Sequence, residues 1–264
     1  MKKNEKTGQE KKRGLLPQAW NVPREFGSGL ALLGLSFLGQ VSRCNHWLDG
    51  GRPVVYLHGT GVGSGSLGLL RYYQAAKGHG AGFAFDYDTN ADFDDSAFGL
   101  LCFLDKVLEQ APPGPGEPLT LIGHSLGGLI IRRYLQLYPN QHPVKRVFLI
   151  STPNYGTHLA HYFPTAVTCA MLPDSKFLAE LNDGSHIHDK VHYVSLYGDK
   201  DLFVLPRESM RLDGSECVVI PGLGHNNIVL SPALMAEIEM RLTPGYEENI
   251  RPVKTHHGQI TIGT

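Results

Sequence analysis

A serine, a histidine and an aspartate, far apart in this chain, stand where activation of an alcohol would need them. Residues 123–128 read Gly-His-Ser-Leu-Gly-Gly, directly after the apolar run Leu-Thr-Leu-Ile and directly before Leu-Ile-Ile-Arg-Arg-Tyr-Leu-Gln-Leu-Tyr. A glycine-x-serine-x-glycine sequence between a buried strand and a helix places the serine on a tight turn that pushes its hydroxyl out above the sheet. Gly123 and Gly127 remove side chains where strand and helix nearly touch. The helix start aims free N–H groups and a partial positive charge at the same point. Ser125 is therefore the candidate nucleophile. The plainer alternative is a glycine-rich turn with an incidental serine, and the flanking strand and helix argue against it.

A serine hydroxyl is a poor nucleophile until a base takes its proton, and an imidazole with a pKa of ~6.5 suits that task near neutral pH. When the serine sits on such a turn, the chain order is nucleophile, acid, histidine, each at the carboxyl end of a strand. After the strand ending at Tyr197 only His225, His256 and His257 remain. The last two fall in a weakly patterned tail. His225 lies in Pro-Gly-Leu-Gly-His-Asn-Asn, between the run Cys217–Ile220 and the final helix, and is the candidate base. The acid should follow the strand Val191–Tyr197, which continues Gly198-Asp199-Lys200-Asp201-Leu202-Phe203-Val204. Asp201 is expected, because the apolar Leu-Phe-Val after it would hold it against the core, as an acid that orients a histidine requires. Asp199, nearer the turn, is the competitor. A tetrahedral oxyanion needs two aimed N–H donors. Leu126, after the serine, supplies one, and Thr60, in the glycine-rich loop His58-Gly59-Thr60-Gly61, is the candidate for the other. His58, Gly59, Gly61 and His124 are expected to line the substrate site.

The elements that must position these residues are legible as alternation. Pro53–His58, Phe83–Phe85, Leu119–Gly123, Val144–Ile150, Val191–Tyr197 and Cys217–Ile220 read as strands, most of them apolar nearly throughout, as expected of parallel strands covered on both faces. Helices are expected near 66–77, 92–110, 126–137 and 231–242. The second of these carries an apolar stripe of Phe98, Leu101, Cys102, Leu104, Val107 and Leu108. The last opens on Ser231-Pro232, a cap followed by proline at the first helical position. The fold class is therefore α/β, a mostly parallel sheet of about six strands with helices on both faces. Residues 111–118 form a Pro/Gly connector. Residues 152–189 are longer than a helical crossover needs and are expected to be a lid-like insertion over the functional edge. The division expected is a basic head at 1–25, an N-terminal helical segment at 26–50, the α/β domain at 51–245 and a tail at 246–264.

Size and charge bound the rest. The chain has 264 residues, 42% apolar and 19% charged, with a net charge of −1, so no basic field points to nucleic acid. Residues 1–13 hold six Lys/Arg against two Glu, leaving the remainder acidic. That head is expected to be solvated, with contact to anionic lipid through residues 1–41 as the lesser reading. Residues 28–41 are apolar but short for a membrane span of ~20 residues, and Val41-Ser42-Arg43-Cys44 makes a poor cleavage site, so a cytoplasmic or peripherally membrane-associated chain is expected, with export as the alternative. Cys44, Cys102, Cys169 and Cys217 show no metal-like spacing, and Cys102 and Cys217 read as buried thiols.

No cofactor or metal is expected. Gly63, Gly65 and Gly68 match a dinucleotide fingerprint, with Asp86 or Asp88 about twenty residues on. The first glycine nevertheless comes too late after the strand. His186, His188 and His192 with Asp183 and Asp189 form a histidine-rich stretch that matches no metal signature. Residues 159–181 contain the apolar runs Leu-Ala-His-Tyr-Phe-Pro-Thr-Ala-Val-Thr-Cys-Ala-Met-Leu and Phe-Leu-Ala-Glu-Leu, which would either cover a hydrophobic acyl site or bury one another.

His-Gly after the first strand, Gly-His-Ser-Leu-Gly-Gly, Gly-Asp-x-Asp-x-x-Val and a late Gly-His-Asn-Asn together resemble bacterial lipases and serine carboxylesterases of the α/β-hydrolase superfamily, over residues 53 to about 242. The resemblance implies ester hydrolysis through an acyl-serine, with Ser125, Asp201, His225, Thr60 and Leu126 in the roles given above. Ser151–Thr157 resembles the segment that leads into the lid region of those enzymes. The chain departs from the pattern in the loop after His-Gly, Thr-Gly-Val-Gly-Ser-Gly-Ser-Leu-Gly, which is unusually rich in glycine, and in the N-terminal fifty residues, which have no counterpart. An acyltransferase or thioesterase with the same triad, or a silent binding protein on the same fold, are the alternatives.

Overall fold

The computed structural model describes residues 15–41, 52–80, 82–112, 119–183, 191–243 and 245–246. Helix α1 (Leu15–Val41) precedes strand β1 (Val54–Leu57), a short 3-10 turn (Ser64–Leu67) and α2 (Gly68–Ala76). Then come β2 (Gly82–Phe85), α3 (Phe93–Gln110), β3 (Leu119–His124), α4 (Leu126–Leu137) and β4 (Val144–Ile150). The segment after β4 holds a 3-10 turn (His158–Tyr162), α5 (Ala166–Ala170) and α6 (Lys176–Leu181). The chain ends with β5 (His192–Gly198), β6 (Glu216–Ile220) and α7 (Pro232–Leu242).

All six strands pair in parallel, in the order β2-β1-β3-β4-β5-β6. Parallel neighbours cannot be joined by tight turns, so the chain must cross over a face between strands, and both faces become covered. The side-chain period of two then divides each apolar strand between two cores. Val55, Leu57, Leu121, Val147 and Leu149 pack on one side, with Leu100 and Leu104 of α3 and Leu129 and Ile130 of α4. Val54, Tyr56, Ile122, Phe148 and Ile150 pack on the other, with Leu32 of α1, Leu70 of α2 and Leu234 and Ile238 of α7.

Differences from the sequence reading have physical causes. Helix α1 begins at Leu15, inside the expected head, and runs through Pro23. Residues 1–14 lie outside the described residues, as do 184–190 and most of the tail. The face that α3 buries is Phe93, Ala97, Leu100, Leu104 and Val107, whereas Phe98 is 56% exposed. The helix carries two overlapping apolar stripes. The one with small Ala97 is the one turned toward the sheet. Cys102 and Cys217 are half-buried rather than buried, and Cys169 is exposed. At α7 the expected cap forms, with the Ser231 hydroxyl accepting the Ala233 N–H at 3.2 Å.

The segment 151–183 is fastened to the domain by polar contacts. Arg132, buried on α4, donates to the Asn154 carbonyl and side chain, to the Leu181 carbonyl and to the Asn182 side chain. Burial lowers its pKa to about 10. Thr157 Oγ1 donates to the Phe203 carbonyl and accepts the Leu205 N–H, which ties the same segment to the loop after β5.

Candidate active site

Ser125 stands between the last residue of β3 and the first of α4, with φ 54° and ψ −118°. An L-residue avoids that region, so the surroundings must impose it. The Ser125 N–H is held by the Ile150 carbonyl of β4 at 2.8 Å, and its own carbonyl accepts the Gly128 N–H at 3.1 Å. The two glycines expected to permit the close approach do so. A Cβ on Gly123 would lie 2.5 Å from the Gly128 nitrogen, and one on Gly127 would lie 2.6 Å from the carbonyl oxygens of Leu57 and His58. Ser125 is only partly buried and lines a cavity of about 360 Å³ together with His225, Gly59, Thr60 and His124.

His225 comes to this cavity on the loop between β6 and α7. Its Nδ1 donates to Asp201 Oδ2 at 2.8 Å. Asp201 is fully buried, and its Oδ1 accepts the N–H groups of Phe203 and Val204 at 2.8 and 2.9 Å. The residues after Asp201 therefore hold it with backbone amides, and not only by apolar contact. Burial alone would raise the Asp201 pKa, but the His225 charge and hydrogen bond and the two amides outweigh it, so the carboxyl titrates below its ordinary value. Burial would likewise lower His225, yet Asp201 raises it above 6.5 on balance. Asp199 points elsewhere, accepting the Gly222 N–H at 2.6 Å beside Lys200 at 2.9 Å.

His124 lines the cavity as expected, but its Nε2 donates to the His225 carbonyl at 3.0 Å. It braces the histidine loop. His58 and Gly61 are not brought to the cavity wall. The His58 ring is buried, stacks on Tyr87 at 4.4 Å and lies 3.5 Å from Asp86, while Gly61 turns the chain at φ 72°. Leu126 opens α4 with its side chain in the core. The glycine-rich loop is filled from within the chain. Asp86 accepts the Ser64 N–H and hydroxyl at 2.7 and 2.6 Å, so one of the two carboxylates weighed with the dinucleotide fingerprint is engaged within the chain. His186, His188 and Asp189 lie outside the described residues.

Sequence reasoning missed Glu25 and Ser36. Both are buried polar residues of α1, and they hydrogen-bond loops at the cavity rim. Ser36 lies within the apolar run 28–41 and Glu25 just before it, and neither position signals contact with a distant loop.

The cavity wall beyond the serine is apolar, with Leu159, Ala160, Phe163, Val167 and Met171 from the segment after β4 and Phe203 from the acid loop. Leu178 and Leu181 instead join the core. Val167 and Met171 do both, lining the cavity and joining the same core.

A family model described as the alpha/beta hydrolase fold matches residues 103–172. Among solved structures, the mature lipase BlEst2 of Bacillus licheniformis superposes with a TM-score of 0.63 at 18% identity, over 76% of this chain and 95% of that one. Aspergillus fumigatus lipase B gives 0.63 at 16% identity, over 76% of this chain and 54% of that one. Phospholipase PlaB from Legionella pneumophila gives 0.58 at 17%, over 74% and 60%. The chain carries the α/β-hydrolase fold and is similar in structure to lipases of that fold.

Proposed function

We propose that this chain is a serine ester hydrolase, a lipase or carboxylesterase acting on apolar acyl esters. The observation that carries the reading is the buried Asp201–His225 pair, which opens on the same cavity as the strained Ser125. In the proposed reaction His225 takes the Ser125 hydroxyl proton as Oγ attacks the ester carbonyl carbon. The N–H groups of Leu126 and Thr60 receive the oxyanion. The His225 proton then passes to the departing alcohol, leaving an acyl-serine that water cleaves by the same steps. Asp201 stays ionised throughout and balances the imidazolium.

The apolar wall formed by Leu159, Phe163, Val167 and Met171 supports an acyl group of medium or greater length as the substrate portion bound there. The outer side of α1 supports peripheral contact with an anionic lipid surface. Phe26, Leu30 and Leu33 are 72, 69 and 50% exposed, and the six basic residues among 1–13 precede them. Among the described residues no helix is long and apolar enough to cross a membrane.

Labelling with a fluorophosphonate tests the central claim. Covalent capture at Ser125 that is absent in Ser125→Ala is the expected result; no labelling of the folded wild-type chain would overturn it.

A further inference from the structure

Helix α1 lays one face along two of the loops that frame the cavity. Glu25, Gly29, Leu32 and Ser36 recur on that face at helical spacing, spanning roughly 16 Å at 1.5 Å per residue. At one end the Ser36 hydroxyl accepts the Gly63 N–H at 3.0 Å, in the glycine-rich loop after β1. At the other, Glu25 Oε2 accepts the Asn226 N–H at 2.9 Å, next to His225. Between them Gly29 passes close to Asn226, where a Cβ would lie 3.4 Å from its side-chain nitrogen.

Glu25 is only 2% exposed, and its Oε1 has no hydrogen-bond partner among the described residues. A Cβ on Gly224 would come within 2.0 Å of that oxygen, so the glycine before His225 is what admits the carboxylate. A buried carboxylate with one oxygen unsatisfied is costly, and as a structural device alone it is a poor choice. Its neighbours suggest why it stands there. Burial raises the Glu25 pKa above its ordinary value, opposed by the Asn226 N–H and the His225 charge, and the charged or titratable groups that act on it are His225 and Asp201. Those that act on His225 are Asp201 and Glu25, with the His124 ring 5.0 Å away at the end of β3.

We propose that Glu25 is a positioning residue for His225. Its carboxylate fixes the histidine loop through the Asn226 N–H and sets a second negative charge, besides Asp201, near the imidazolium that forms at each proton transfer. The first catalytic loop and the last are thereby tied to one N-terminal helix. This inference rests on the reading of Ser125, His225 and Asp201 as a triad.

Glu25→Gln keeps an acceptor for Asn226 and removes the charge. Glu25→Met fills similar length without a polar oxygen to bury. With less negative charge nearby, the imidazolium is disfavoured, so the acid limb of fluorophosphonate labelling should move to lower pH by about half a unit or more in either variant. Ser36→Ala, which loses a hydrogen bond on the same helix face but no charge, should leave the limb in place. Wild-type chain that is not labelled overturns the triad reading and this inference with it. Labelling of wild type and folded Glu25 variants with coincident midpoints overturns this inference alone. Loss of the folded state in both Glu25 variants also overturns it, since Glu25 would then be a fold determinant.

Discussion

The His124 ring donates from Nε2 to the main-chain carbonyl of His225 across 3.0 Å, so the residue before the candidate nucleophile holds the candidate base. A carbonyl can only accept, which fixes the tautomer: Nε2 carries the proton and Nδ1 does not. Burial, with the nearby His225 charge, drives the His124 pKa down to about 3, so the ring stays neutral through the working range and does not compete for the serine proton. His124→Leu brings a side chain of similar volume and leaves the His225 carbonyl without this donor. It should destabilise the fold by ~1–3 kcal/mol, read as a lower Tm, and slow labelling of Ser125. An unchanged Tm and labelling rate would show that the contact holds nothing.

The three proposed catalytic side chains should behave as one unit. Ser125→Ala and His225→Ala are each expected to remove most ester turnover, roughly 10⁴-fold or more, and the double variant should lose no more than either. Asp201→Asn should cut kcat severely, because the amide presents the wrong partner to Nδ1. Asp199→Asn should not, since that carboxylate holds the Gly222 amide on another side of the loop. The reverse order of effects would reassign the acid.

The proposed catalysis by His225 requires its neutral form, and Asp201 raises its pKa above 6.5. The kcat/KM profile should therefore rise with pH through a midpoint above 6.5. Stability carries the opposite slope. The raised folded-state pKa of His225 contributes stability that is full below about 6.5 and lost as pH climbs through the folded value. Asp201, with a depressed pKa, contributes above about 3.8 and loses it as pH falls through the folded value. Asp201→Asn should flatten both trends in a pH series of melting curves. A midpoint at or below 6.5 in the wild type would show that the pair does not favour the imidazolium.

What could be read beforehand follows from how local each signal is. All six strands and the four expected helices appear in the structure with ends shifted by few residues, because period, glycine punctuation and the Ser231 cap are written in neighbouring positions. The serine turn is equally local. Asp201 and His225, which the structure pairs at 2.8 Å, are reachable as candidates because chain order in this architecture leaves few. Glu25 is not, since its partner Asn226 is 201 positions away and nothing near either residue announces the contact. The same holds for Arg132, which reads as a surface residue of an amphipathic helix until Asn154, Leu181 and Asn182 close around it. The α3 stripe was misread for another reason. Two apolar faces were available, and the choice between them lies in the packing partner.

Acyl length is open to a direct test. Phe163, Val167 and Met171 line the same cavity as Ser125, and each buried methylene is worth ~0.8 kcal/mol. Turnover of p-nitrophenyl octanoate should exceed that of the acetate in kcat/KM, and Phe163→Ser, at a lining position that is 64% exposed, should shrink the difference while sparing acetate. A strong preference for acetate in the wild type would reject an apolar acyl site.

Peripheral lipid contact rests on the two-sidedness of α1. Its inner face is committed, with Glu25, Leu32 and Ser36 buried against the domain, while Phe26, Leu30 and Leu33 leave an apolar stripe in solvent, and six basic residues precede the helix in the sequence. Apolar insertion and attraction to anionic headgroups act together, and only the second is screened by salt. The full chain should float with vesicles containing phosphatidylserine, more weakly with pure phosphatidylcholine, and less at high ionic strength. The combined variant Phe26→Ser, Leu30→Ser, Leu33→Ser should abolish flotation without lowering Tm, because none of the three side chains is buried in the domain. Flotation that survives in the combined variant, or a wild-type dimer that the same substitutions dissolve, would assign the stripe to something other than lipid.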